Sequence, residues 1–85
     1  MTNDANIRLE CLKPAERWAQ PTGEEVREVL RLAGVSGSKA AKALGLGAKG
    51  DRTIRRWIGE DPPIPYAAWA ILCDQAGLGV IWKED

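Results

Sequence analysis

Residues 36–59 read SGSKAAKALGLGAKGDRTIRRWIG, and this stretch decides the fold. Ser36 is an N-cap residue type, and the segment Ser38–Leu44 behind it holds Ala40, Ala41, Ala43 and Leu44. Side chains that small let a neighbouring helix approach closely. Gly45 ends this helix, and Gly45-Leu46-Gly47-Ala48-Lys49-Gly50 is glycine-rich and reads as a turn. Asp51 then offers an N-cap for a second helix over Arg52–Ile58. In that helix Ile54, Trp57 and Ile58 share one face, while Arg52, Arg55 and Arg56 occupy the others. The result is a short amphipathic helix, basic on its outside and closed by Gly59.

Upstream, Thr22 and Glu25 form a capping-box pattern, followed by Val26, Val29, Leu30 and Ala33 at i, i+3, i+4 and i+7. Glu24 and Glu25 suit the positive end of a helix and Arg31 its negative end, with Gly34 as the stop, so a helix is predicted over Gly23–Ala33. Downstream, Pro62, Pro63 and Pro65 force an extended connector, and Pro65 is a favourable first-turn residue for a last helix over Tyr66–Ala76. This helix is apolar nearly all round, which in so small a domain calls for a second surface to cover it. A second subunit is the economical cover, with Trp69, Ile71 and Trp82 as its expected contacts; the tail Leu78-Gly79-Val80-Ile81-Trp82 joins them. Near the N-terminus, Ile7, Leu9 and Cys11 alternate like a short strand, and Pro14–Trp18 reads as the start of a helical turn. The division expected is an extension over 1–21, a helical domain over 22–77 and a tail over 78–85.

At 85 residues the chain holds one hydrophobic core, and 45% apolar residues with four tryptophans describe a folded domain. The apolar run Tyr66–Cys73 is far short of the roughly 20 residues a membrane helix needs, and MTNDANIRLE lacks a signal core. A soluble, cytoplasmic protein is therefore expected. Two cysteines and no histidine rule out a zinc finger and a serine–histidine triad, and no carboxylate or lysine pair has a spacing that marks an enzyme. No metal, cofactor or small-molecule effector is expected. Cys11 and Cys73 read as reduced, small apolar residues, and the tryptophans as packing residues rather than base-stacking ones.

Net charge is zero, yet its distribution is uneven. Lys39, Lys42, Lys49, Arg52, Arg55 and Arg56 stand against Asp51 alone, giving this stretch +5 and the rest of the chain −5. Such a face attracts phosphate locally, because screening confines each charge's influence to about 10 Å. The order helix, turn, basic helix, with a helix before and after, suits double-stranded DNA: a major groove about 12 Å wide admits one helix. Arginine's fork matches the O6 and N7 acceptors of guanine, and aspartate can accept from a cytosine amino group. Asp51 serves either as such a reader or simply as a cap.

Gly34-Val35-Ser36, Ala40-Ala41, Leu44-Gly45-Leu46 and Thr53-Ile54-Arg55-Arg56-Trp57 together resemble the lambda-repressor-like, Xre-type helix-turn-helix family over about Thr22–Gly77. The resemblance implies an all-α bundle of about five helices. It implies that Ser36, Ser38 and Lys39 touch the phosphate backbone, that Asp51, Arg52, Thr53, Arg55 and Arg56 belong to the groove-facing helix, and that Trp57 points inward. The segment 46–53 is about three residues longer than the compact turn of that family. Lys49, within it, either reaches phosphate or the groove edge or is merely solvated. In length and N-terminal extension the chain also resembles small plasmid-borne repressors. The function expected is repression by a homodimer on a palindromic operator. The alternatives are an antitoxin or excisionase-like DNA-binding factor, and a helical module whose arginines meet an acidic protein.

Overall fold

The computed structural model describes residues 6–83. Four α-helices form the domain: α1 over Gly23–Ala33, α2 over Gly37–Ala43, α3 over Gly50–Ile58 and α4 over Tyr66–Gln75. Two short 3-10 helices, Leu9–Leu12 and Ala15–Arg17, precede them, and no strand occurs among the described residues. The fold is all-helical, with four α-helices among the described residues rather than the expected bundle of about five. α2 packs against α3, and α1 packs against both α3 and α4.

α1 forms as its sequence dictates. The Thr22 hydroxyl accepts from the Glu25 N–H at 3.2 Å, and the Glu25 carboxylate accepts from the Thr22 N–H at 2.8 Å. This satisfies two of the N–H groups that a helix start leaves without partners. Val26 and Val29 are fully buried and Leu30 nearly so, each contributing about 1.5–3 kcal/mol by leaving water. α4 adds Trp69, Leu72 and Cys73, all 0% exposed.

The extension does not form a strand. Cys11 lies on the buried side of its 3-10 turn and Leu9 on the exposed side, so the alternation Ile7, Leu9, Cys11 does not mark one face. Ile7 and Cys11 complete the core beside α1 and α4. The indole N–H of Trp69 donates to the Cys11 carbonyl at 2.7 Å, and the Tyr66 hydroxyl donates to the Lys13 carbonyl at 3.0 Å. Trp18 meets the Tyr66 ring edge-on at 5.0 Å.

An ion pair between the half-exposed Arg8 and the buried Glu25 closes this seam. Glu25 is 5% exposed and accepts from the Arg8 backbone N–H at 2.9 Å and from the Arg8 guanidinium at 2.9 and 3.0 Å. Burial alone would raise its pKa, but the hydrogen bonds from Arg8 and Thr22 outweigh burial and hold the carboxyl at about 2. Burial and the neighbouring Glu25 charge push the Cys11 thiol up to about 11, and burial pushes Cys73 up to about 12. Both thiols are free, buried and held protonated, which suits packing rather than reactivity.

Candidate nucleic-acid interface

α2 and α3 are held together by their smallest residues. Ala40 and Ala41 are buried on α2, and a Cβ added to Gly50 would lie 2.5 Å from the Ala41 Cβ and 2.7 Å from the Leu46 Cβ. Only glycine permits that approach, so α3 starts at Gly50, with Lys49 as its N-cap. The helix thus starts two residues earlier than the sequence reading gave. Asp51 is not the cap but sits in the first turn, where its carboxylate meets the Arg55 guanidinium at 3.5 Å.

Ile54 and Trp57 anchor α3, at 1% and 5% exposure. At 100° per residue their direction puts Arg52 at the outermost point, Arg55 with Asp51 on one flank, and Arg56 with Thr53 on the other. All three arginines are exposed, and Thr53 and Asp51 are half-buried. Because the Asp51–Arg55 pair is solvated, it is worth about 0–1 kcal/mol and leaves Arg55 available to another anion.

On α2, Ser36 is the N-cap, its hydroxyl accepting from the Lys39 N–H at 3.2 Å. Ser38 and Lys39 are exposed in the first turn, Lys42 is exposed in the last, and Lys49 is exposed before α3. Ser36, Ser38, Asp51 and Arg55 come together around one crease between α1, α2 and α3, floored by Leu30, Ile54 and Ile58. Lys49, Arg52 and Arg56 lie outside that crease.

The proposed subunit contacts separate into two kinds. Trp69 is 0% exposed, and its indole N–H is used inside the chain, so it supports α4 from within rather than offering surface. Ile71 at 40% and Trp82 at 49% exposure do offer surface, and with Tyr66, Ala67 and Ala70 they line a shallow apolar groove. Sequence reasoning missed the Arg8–Glu25 pair and the role of Glu60, whose carboxylate accepts from the Gly23 N–H at 2.7 Å. Neither has a local signal, since the partners lie 17 and 37 residues apart.

These features define a small all-α domain that sets one basic helical face on an apolar core. The chain is 87% identical over 84 residues, 99% of each chain, to a transcriptional repressor protein KorC of Escherichia coli. It is 76% identical over 81 residues, 95% of each chain, to a second Escherichia coli protein of that name. The chain belongs to the KorC family of transcriptional repressors. No family model matches it, and no solved structure does. Among the described residues no helix is long and apolar enough to cross a membrane.

Proposed function

We propose that the chain represses transcription by binding double-stranded DNA sequence-specifically, with α2 and α3 acting as a lambda-repressor-like, Xre-type helix-turn-helix. The observation that carries this reading is α3 itself, pinned through Gly50, Ile54 and Trp57 while Arg52, Arg55 and Arg56 stand in solvent. In the major groove Arg52 points at base edges, Arg55 and Arg56 reach bases or the groove walls, and Ser36, Ser38, Lys39 and Lys49 meet phosphates. Asp51 and Thr53 flank the arginines and accept or donate to neighbouring bases.

A homodimer joined through Ile71 and Trp82 would present α3 twice to one side of a palindromic operator, with centres about 34 Å apart. The apolar groove at these residues supports that reading. Repression follows from occupancy, without a catalytic step or a cofactor.

The test is selection of duplexes from a random pool, followed by titration of the recovered sequence against salt. An enriched palindrome with affinity falling steeply with salt is expected. Absence of both enrichment and salt dependence would reject DNA binding in favour of a protein-interaction module.

A further inference from the structure

The C-terminal end of α3 is built unlike the other three helix ends. α1, α2 and α4 each finish with a residue in the left-handed region whose N–H returns to the carbonyl three positions earlier, followed by one whose N–H returns to the carbonyl five positions earlier. Glycine fills the left-handed position each time, as Gly34, Gly45 and Gly77. α3 makes the same pair of bonds, Glu60 N–H to the Trp57 carbonyl and Asp61 N–H to the Arg56 carbonyl, both 3.0 Å. Its left-handed residue, however, is Glu60, with φ 62°. The adjacent Gly59, at φ −79°, does not need to be glycine for that conformation. Glu60 is the one non-glycine residue with positive φ among the described residues, and a side chain there is strained.

What glutamate supplies, and glycine would not, is a carboxylate. It accepts from the N–H of Gly23, the first residue of α1, where an unpartnered donor and the positive helix end favour an anion. The Ile58 carbonyl lies against the same Gly23, in space that a Cβ would fill. These two contacts tie the last turn of α3 to the first turn of α1, while Gly50 seats the other end on α2.

We propose that Glu60 is a positioning residue of the DNA-reading surface, holding the tilt of α3 and so the places of Arg52, Arg55 and Arg56. This rests on the assignment of α3 to the major groove. A helix of nine residues is about 13 Å long, so a tilt of about 5° about one end moves the other by about 1 Å. Bidentate contacts to base edges are sensitive to such a shift, whereas long cations on phosphates follow it. Loss of the clamp therefore lowers specific affinity and spares non-specific affinity.

The experiment uses the full chain and two probes, the duplex enriched by the wild type and a scrambled duplex of the same composition. Glu60→Asp keeps the charge and tolerates the left-handed backbone better, but its carboxylate is one methylene short of Gly23. It is expected to lower the ratio of specific to scrambled affinity about tenfold while the thermal midpoint shifts little. Glu60→Gln, with an acceptor at full reach, should keep the ratio within about threefold of wild type. If the Asp variant melts below the assay temperature, Glu60→Gly replaces it, relieving the strain and deleting the carboxylate with the same expected loss. An unchanged ratio in Asp or Gly, or a loss in Gln as large as theirs, overturns the positioning role while leaving DNA reading intact. Failure of the wild type to enrich any duplex overturns both.

Discussion

α3 spans nine residues and α4 ten, yet they use their surfaces in opposite ways. α3 buries a narrow stripe of Gly50, Ile54 and Trp57 and gives the remaining circumference mainly to charge. α4 buries Trp69, Ala70, Leu72 and Cys73 and exposes further apolar residues, Ala67 and Ile71. A core of this size needs only one apolar face from each helix, so whatever lies beyond that face is free for another purpose. On α3 the surplus is cationic, which supports the proposed contact with a polyanion; on α4 it is apolar, which supports the proposed contact with a second copy.

Substitutions should break this contrast in a graded order. Trp69→Ala removes a fully buried indole and strands the Cys11 carbonyl, so it should cost about 3–5 kcal/mol and abolish the cooperative thermal transition near ambient temperature. No substitution on the solvent side of α3 should approach that in a melting experiment. Next, Glu25→Gln should cost about 1–3 kcal/mol at neutral pH by weakening bonds to a charged acceptor. Glu25 has a folded pKa of about 2 against an ordinary 4.5, so its stabilisation is complete above pH 4.5 and lost as pH falls through about 2. The stability gap between wild type and Glu25→Gln, followed by denaturant titration, should therefore close over that interval. A gap that stays constant down to pH 2 would show that the carboxylate charge is not what stabilises.

Arg52→Ala separates binding from stability. It should cost about 1–3 kcal/mol on the enriched duplex and relax preference at one base position, with the melting temperature unmoved. An unchanged operator footprint would show that the outermost point of α3 does not meet bases. Lys39→Ala is expected to have the smallest effect, weakening binding about equally on all duplexes and lowering the salt slope by about one.

Much of this arrangement is legible in the chain wherever the governing interaction is local. Thr22 and Glu25 are three residues apart, so their capping box and the bounds of α1 can be read directly. The amphipathic spacing of Ile54 and Trp57 likewise reveals which side of α3 is inward. The start of α3 was not readable, because it depends on Ala41 and Leu46 closing on Gly50 from across the turn. A glycine-rich hexapeptide looks like turn throughout when that contact is out of view. The burial of Trp69, expected as a subunit contact, is not legible because an all-apolar helix gives no periodic sign of which residues it buries. The second employment of Glu25, pairing with Arg8 of the extension, depends on a contact across 17 positions.

Trp82, 49% exposed, has an optical consequence. Trp57 and Trp69 are 5% and 0% exposed and Trp18 is half-buried against Tyr66, so Trp82, the most exposed of the four, should supply the reddest part of the emission. Covering its indole with another subunit would draw that part blueward, and subtracting the spectrum of a Trp82→Phe chain isolates the change. Trp82 thus gives the proposed self-association a label-free fluorescent test, built into the tail and separate in sequence from the arginines of α3.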